Sequence, residues 1–460
     1  MNNNFFDKYL SICIGISILY ILFYNILHYN PIQGYDGEAH HAYVQNFLNF
    51  YIPNRLNQPT SNLTYEFFSP PLPYFLPAFI NEICKKFSNE DNLLQICQET
   101  YGFYNIIFQS ILFLITLFLY IKIFRKITKS TSYNPSVFLL IGILTVNYKS
   151  IAMIRAETYI LFFLSLLIYR LVLLVENNFN YKTKDILIFG FVIGGLMLSR
   201  QWSVFLLPGI IFMFFLIENK YKKSYSVFIF YSFMIGFLIS GWFYINLYFD
   251  YGKITAFNLV SNGFSFKNQK IDFYIPQLSD LQNMFLKPIR PNFKNQFLPI
   301  LYSDLWGDYW GYFSFTSRDL AKGRNQLLIG DYLARVNLVS LIPTFFLIFS
   351  FFITIKIFSI QKKSSSKYIL FYVICSSIFS FLGYLWFLIS YPVESGDTNK
   401  AVYIIQLFHL LGFLGVYTME LLKQKIPKIY KVMLVLLTFV FYNNFSALMS
   451  HFPLINFFSQ

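Results

Sequence analysis

Residues 226–248 read SVFIFYSFMIGFLISGWFYINLY and contain no charged side chain. A membrane-spanning helix needs about 20 consecutive apolar residues, and this run supplies them. A coarse search finds about eleven such runs, at 9–28, 103–124, 136–153, 157–176, 185–199, 202–217, 226–248, 336–357, 368–390, 401–422 and 430–450. The sequence therefore predicts an all-α polytopic membrane protein, with residues 1–460 forming one transmembrane domain.

The overall composition excludes a soluble protein. Of the 460 residues, 56% are hydrophobic and only 13% are charged. A soluble domain usually carries about 25% charged residues, and a chain of this length has no interior large enough to hide so much apolar surface. Membrane lipids are therefore the expected surroundings of most of the chain.

The net charge of +14 reflects membrane topology and not a nucleic-acid partner. The basic residues cluster in alternate connections between the predicted spans: Lys122, Arg125, Lys126 and Lys129; Lys182 and Lys184; Lys220, Lys222 and Lys223; Lys362, Lys363 and Lys367; and Lys423, Lys425, Lys428 and Lys431. Cytoplasmic loops carry such an excess, so these connections are predicted to be cytoplasmic. An odd number of spans then places the N-terminus in the cytoplasm and the C-terminus outside.

The long polar segments fall on the opposite side, at 29–102 and 249–335. The cytoplasmic connections are too short to fold into a nucleotide-binding domain, and the sequence contains no glycine-rich phosphate loop. Any chemistry is therefore expected on the extracytoplasmic face. The membrane would be the plasma or inner membrane of a bacterium, or the endoplasmic reticulum membrane of a eukaryote.

Two of the four cysteines, Cys84 and Cys97, lie in the first outer segment. An extracytoplasmic compartment permits a disulfide between them. Two separate buried thiols are the alternative.

The first outer segment begins with Gly34-Tyr-Asp-Gly-Glu-Ala-His-His-Ala-Tyr43, which places Asp36, Glu38, His40 and His41 directly after a span. Carboxylates at the edge of a bilayer cost free energy, so they tend to be paired, metal-bound or catalytic. The alternative is a solvated loop in which Asp36 caps the N-terminus of a helix.

The order of these features resembles a known family. A first span, an outer Asp/Glu–His cluster and then Pro70-Pro71-Leu72 before the second span resemble the polyprenyl-phosphate-sugar-dependent glycosyltransferases of the GT-C fold. The most similar branch is the dolichyl-phosphate-mannose–protein mannosyltransferase and lipid A aminoarabinose transferase superfamily. Later segments fit the same pattern: Arg155-Ala156-Glu157, Gly195-Leu-Met-Leu-Ser-Arg200, Gly241-Trp-Phe-Tyr-Ile-Asn246 and Lys400-Ala401-Val402-Tyr403.

The resemblance implies a GT-C-like bundle with interfacial helices in the first outer loop. It also implies an inverting hexosyl- or mannosyltransferase-like enzyme with a polyprenyl-phosphate sugar as donor and a glycan, lipid or protein as acceptor. Many relatives carry an Asp-Glu dipeptide, whereas here Gly37 separates Asp36 from Glu38. The catalytic assignment therefore rests on Asp36, with Glu38 as a second candidate.

The chemistry of such a reaction agrees with the residues present. Nucleotide sugars are confined to the cytoplasm, so a transferase acting outside needs a membrane-borne donor. A carboxylate must take the acceptor's proton, which suits Asp36, and cations must stabilise the leaving phosphate. The predicted donor-binding residues are His40, His41, Arg155, Glu157, Arg200, Lys400 and Tyr403. The alternative for the cations is that they extend from helix ends toward water at the interface.

Three further possibilities remain open from sequence alone. His40 or His41 could orient the donor phosphate or, with Asp36, bind a divalent metal. The aromatic and acidic segment 302–312 suits either an interfacial aromatic belt or contact with sugars.

A transporter or lipid flippase, or an O-antigen polymerase or ligase, would share the many spans. A transporter predicts charges deep within several spans, and the polymerases and ligases usually lack an acidic cluster directly after the first span.

Overall fold

The computed structural model describes residues 3–29, 34, 36–47, 64–87, 93–129, 134–255, 257–293, 295–311, 313, 324–360 and 365–450. Its helices, in chain order, are α1 (Asn3–Leu27), α2 (Gly37–Gln45), α3 (Leu72–Phe87), α4 (Leu93–Thr128), α5 (Pro135–Val137), α6 (Thr145–Ala152), α7 (Glu157–Glu176), α8 (Thr183–Ser199), α9 (Pro208–Leu216), α10 (Asn219–Tyr251), α11 (Ile271–Tyr274), α12 (Leu278–Leu286), α13 (Phe297–Trp306), α14 (Arg324–Val339), α15 (Leu341–Ile360), α16 (Ser365–Ser390), α17 (Ile405–Lys425) and α18 (Pro427–Asn443). No strand occurs among these residues.

Seven of the described helical segments are long and apolar enough to cross a membrane: Phe5–Leu27, Leu93–Thr128, Glu157–Glu176, Asn219–Tyr251, Gly330–Ile360, Ser366–Ser390 and Ala401–Lys425. The prediction of an all-α, multi-pass membrane protein is confirmed. The remaining predicted runs are also helical, but three of them are shorter: α8 and α18, with 17 residues each, and Gln201–Leu216. The number eleven therefore stays a prediction.

The predicted span at 136–153 is broken near its middle. Its two halves, Pro135–Gly142 and Thr145–Ala152, meet at an angle of 68°. A break exposes backbone carbonyls that must find other donors inside a membrane protein. The side-chain amide of Asn147 donates to the carbonyl of Ile141 at 2.8 Å. The hydroxyl of Tyr148 donates to the carbonyl of Gly142, also at 2.8 Å. The freed carbonyls of Ile141 and Gly142 thus find hydrogen-bond donors within the same segment. The break also turns α6 toward the polar end of the bundle.

Helices α8 and α10 pack closely because glycines lie at their interface. A Cβ atom on Gly190 would stand 2.6 Å from Ile235, and one on Gly194 would stand 2.7 Å from Ile239. Small residues allow such backbone approach in membranes. This contact fixes α8, whose C-terminal end carries Arg200.

The first outer segment folds onto the end of the bundle. A disulfide joins Cys84 of α3 to Cys97 of α4, which decides between the two alternatives for these cysteines. Helix α3 buries Tyr74 and Ala78 and exposes Phe75 and Phe79, so it is amphipathic. That pattern is typical of a helix at a membrane surface.

The aromatic segment after residue 302 lies in the interior. Tyr302, Trp306, Tyr309 and Trp310 are all buried. These four rings are therefore not exposed to lipid as an interfacial belt would be, and contact of this segment with sugars stays a prediction. The aromatic side chains instead pack α13 against the bundle.

Candidate functional site

Four loop segments bring polar side chains to one end of the bundle. Asp36 precedes α2, Arg155 lies between α6 and α7, Arg200 follows α8, and Lys400 precedes a short 3₁₀ turn, Ala401–Ile404. These positions are far apart in sequence. They meet because helix ends at the same side of an antiparallel bundle are neighbours in space.

The ring of Tyr403 lies at the centre of the cations. The guanidinium carbons of Arg155 and Arg200 are 5.8 and 5.3 Å from the ring centroid, and the Lys400 ammonium is 5.6 Å from it. Each distance is within the range of a cation–π contact. One aromatic ring therefore gathers three cations from three separate loops.

Asp36 contacts this group through Lys400. The Lys400 Nζ atom donates to Asp36 Oδ2 at 3.1 Å. Asp36 stands at the N-cap position of α2 but makes no side-chain capping bond, and its backbone adopts a left-handed conformation with φ of 54°. The helix-capping alternative is therefore wrong, because the carboxylate bonds to a distant lysine. The Lys400 side chain is 8% exposed and that of Asp36 is 44% exposed, so the carboxylate is open to a substrate.

Glu157 joins the two arginines. Its Oε2 atom accepts from Arg155 Nε at 3.2 Å, and its Oε1 atom lies 3.9 Å from Arg200 Nε. Both guanidinium groups are buried, so the alternative in which they extend to water is wrong. The Nη1 atom of Arg200 is buried and makes no hydrogen bond to any residue the structure describes. It remains available to an anionic ligand.

The two histidines take different positions. The Nδ1 atom of His40 hydrogen-bonds the Tyr74 hydroxyl at 2.7 Å, and that of His41 hydrogen-bonds the Tyr101 hydroxyl at 2.7 Å. His40 lies one helical turn after Asp36, and its backbone N–H donates to the Asp36 carbonyl. His40 thus belongs to the site, whereas His41 packs against α4.

Glu66 is a site residue that the sequence interpretation missed. Its Oε1 atom lies 3.9 Å from His40 Nε2, both side chains are buried, and the Ser69 hydroxyl donates to its carboxylate. Thr64 anchors this turn by donating to the carbonyl of Ala39 at 2.6 Å. The only signal for Glu66 in the sequence was a lone carboxylate four residues before Pro70. Glu38, which the sequence offered as the second carboxylate, is exposed.

The charges of the site shift two pKa values. Burial disfavours the ionised form of Asp36, but the positive charges of Lys400 and Arg155 outweigh it and hold the pKa of this carboxyl well below its usual range. Burial lowers the pKa of His40, and the charges of Arg155 and Arg200 lower it further. Asp36 is accordingly an anion and His40 a neutral imidazole at physiological pH.

The described side chains form no set that fits a divalent metal. Among the described residues no group of three or more His, Cys, Asp or Glu side chains could hold a metal ion. The carboxylate of Asp36 is already paired with Lys400, and His40 is directed at Tyr74 and Glu66.

Fold and site together define a multi-pass membrane protein with a polar, largely buried site at one end of its helical bundle. No protein-family model matches the chain, and no curated protein matches its sequence. The function must therefore be argued from the site.

Proposed function

We propose that this protein is a membrane glycosyltransferase that moves a sugar from a polyprenyl-phosphate donor to a glycan, lipid or protein acceptor on the extracytoplasmic face, with inversion at the anomeric carbon. The observation that carries the proposal is the partly exposed Asp36 carboxylate beside three cations gathered around Tyr403. A reaction with a phosphate leaving group needs these two elements side by side.

The reaction is a single displacement. The acceptor hydroxyl oxygen attacks the anomeric carbon, and its proton passes to the Asp36 carboxylate. The bond between the anomeric carbon and the phosphate oxygen breaks, and polyprenyl phosphate leaves with the electron pair. Lys400, Arg155 and Arg200 stabilise the added negative charge on the phosphate. One attack from the side opposite the leaving group inverts the configuration.

The ion pair between Asp36 and Lys400 controls how readily the Asp36 carboxylate accepts the proton. A carboxylate held at a low pKa is a weak base, and Lys400 is the nearest cation responsible. A donor phosphate that binds Lys400 competes with Asp36 for the ammonium group. Donor binding would then raise the basicity of Asp36 when the acceptor must be deprotonated.

The transporter alternative receives no support from the ion pairs in the interior. A buried pair joins Lys149 of α6 to Asp304 of α13. Helix α6 is the second half of the broken span, whereas α13 lies outside the candidate spans, so only one partner of this pair lies within a span. Arg155, Arg200 and Lys400 lie at helix ends. A transport path through the bilayer would need charges along its length.

The test uses the full-length protein in proteoliposomes, with a panel of radiolabelled polyprenyl-phosphate sugars and detection of released polyprenyl phosphate. Extract from the native membranes supplies the acceptor. We expect release with at least one donor in the presence of this extract, and its loss in Asp36→Asn and Arg200→Gln. Lys126→Gln is the matched control, because Lys126 pairs with Glu176 on the surface at the opposite end of α4 and α7. Movement of intact donor across the bilayer without cleavage would identify a flippase instead.

A further inference from the structure

A buried ion pair outside the cation cluster connects to it through the backbone. Lys149 Nζ donates to Asp304 Oδ1 at 2.7 Å, and both side chains are 0% exposed. The same ammonium group also donates to the backbone carbonyl of Asp304. A second bond, from the Thr145 hydroxyl to the carbonyl of Trp306 at 2.7 Å, joins the same two helices.

The other oxygen of Asp304 holds the segment that carries Lys400. Asp304 Oδ2 accepts from the backbone N–H of Ala401 at 2.7 Å. The carbonyl of Lys400 lies 3.2 Å from the hydroxyl of Tyr384, which shares its single proton between this carbonyl and Asn399 Oδ1 at 3.1 Å. The Ala401 N–H and the Lys400 carbonyl belong to one peptide bond, so both polar atoms of the Lys400–Ala401 peptide contact buried side chains.

Stability alone does not explain this arrangement. Removing two charges from water costs free energy that their attraction often fails to recover, so a buried ion pair is weak evidence for stability. The position of the pair is more informative. Helix α6 carries Lys149 and leads directly to Arg155, while Asp304 holds the segment that carries Lys400 and Tyr403.

We propose that Lys149, Asp304 and Tyr384 are positioning residues that hold the Lys400–Ala401 peptide, and with it the Lys400 ammonium group, against Asp36. The value of this placement for catalysis rests on the proposed function, in which Lys400 binds the donor phosphate. The placement itself can be measured without any donor.

The experiment measures the reactivity of the Lys400 amine in the full-length protein in lipid nanodiscs. Isotope-coded acetic anhydride labels the lysines, and mass spectrometry gives the labelling rate of each one. Lys423, which is 13% exposed and paired with Asp7 at 2.5 Å at the opposite end of α17, is the internal reference. Asp36→Asn calibrates the result, because it weakens the contact between Asp36 and Lys400 directly.

Three variants test the proposal. Tyr384→Phe removes one hydroxyl and should leave the fold intact. Lys149→Met combined with Asp304→Leu removes the charges together, so that neither is left buried and unpaired. Lys149→Gln combined with Asp304→Asn keeps an amide oxygen to accept from the Ala401 N–H. We expect the labelling of Lys400 relative to Lys423 to rise about tenfold in the double variant Lys149→Met with Asp304→Leu, called the Met/Leu pair. The rise should be smaller in Tyr384→Phe. It should be smallest in the double variant Lys149→Gln with Asp304→Asn, called the Gln/Asn pair.

The outcomes separate this proposal from the proposed function. If Asp36→Asn raises Lys400 labelling but Tyr384→Phe and the Met/Leu pair do not, the positioning role is overturned and the transferase assignment is untouched. A parallel rise at Lys400 and Lys423 would indicate general loosening and would also overturn it. Failure of the Met/Leu pair to fold leaves Tyr384→Phe to decide. A selective rise without sugar transfer from any donor would keep the positioning role and contradict the transferase.

Discussion

The ammonium group of Lys400 donates a hydrogen bond to the carboxylate of Asp36 across 364 positions of the sequence. One residue follows the first span, and the other precedes the helix α17. The bond forms only when both ends of the chain have packed into one bundle. It links the residue that we propose takes the acceptor's proton with one that we propose binds the donor's phosphate.

The first prediction concerns donor binding by the cations. Arg200→Gln and Lys400→Gln should each raise the KM for a polyprenyl-phosphate sugar by about 10- to 100-fold, since a hydrogen bond to a charged group contributes about 1.5–3 kcal/mol. Donor titration in proteoliposomes measures this. Lys126→Gln, which removes a surface cation at the other end of the bundle, should leave KM unchanged. Equal donor dependence in all variants would return both cations to a structural role.

The second prediction uses the titration of His40. Burial lowers its folded-state pKa, and Arg155 and Arg200 add to the effect, while the unfolded chain titrates at about 6.5. The unfolded state therefore binds the extra proton first as the pH falls. The stability this group contributes is full above about pH 7 and declines as the pH falls through about 6.5 toward the folded-state pKa.

Thermal unfolding of wild type and His40→Gln across this range measures the effect. The difference in Tm between wild type and His40→Gln should shrink or reverse on acidification. A difference that stays constant between about pH 7 and pH 5 would show that His40 is not held neutral in the fold.

The helices could be read from the sequence because their signal is local. Long apolar runs predicted each of the seven candidate spans among the described residues, including 157–176, whose limits match α7. The bend at residues 143–144 could not be predicted, because it depends on the side chains of Asn147 and Tyr148 bonding back to freed carbonyls. Nothing in an apolar run distinguishes a straight span from a broken one.

The sequence predicted most of the residues that form the site but not how they contact one another. The residue types at Asp36, Arg155, Arg200 and Lys400 were found from their places at helix ends. Their mutual contacts were not, because they depend on tertiary packing. Glu66 was missed for the same reason: it lies in a turn before α3, and its partner His40 lies in helix α2.

The third prediction concerns the disulfide between Cys84 and Cys97. Replacing both cysteines by serine should lower the free energy of unfolding by about 3 kcal/mol, because a short loop would no longer be closed in the unfolded chain. Thermal unfolding in detergent detects the change, and non-reducing peptide mapping detects the bond. Cys13→Ser and Cys375→Ser are the controls, since both thiols are free. Two free thiols at Cys84 and Cys97 in protein from native membranes would contradict the prediction.

The fourth prediction concerns topology. In a variant in which Cys13 and Cys375 are replaced by serine, Ser279→Cys should react with a membrane-impermeant maleimide from outside intact cells. Lys223→Cys should react only after permeabilisation, because its basic loop is predicted to be cytoplasmic. Both positions are exposed, so reactivity reports the compartment. The reverse pattern would place the site on the cytoplasmic face, where nucleotide sugars are available, and would remove the argument for a lipid-linked donor.

The fifth prediction tests the base itself. Asp36→Asn keeps the size of the side chain and removes its capacity to accept a proton, so kcat should fall by about 10²- to 10⁴-fold, the usual contribution of a general base. The KM for the donor should not rise, because all three cations remain and Lys400 no longer pairs with a charged carboxylate at position 36. Glu38→Gln is the matched control two residues away: Glu38 is exposed, and its loss should alter kcat less than twofold. Initial rates at saturating donor distinguish the variants. A wild-type kcat in Asp36→Asn would exclude this carboxylate as the base and leave Glu66, the buried carboxylate beside His40, as the next candidate.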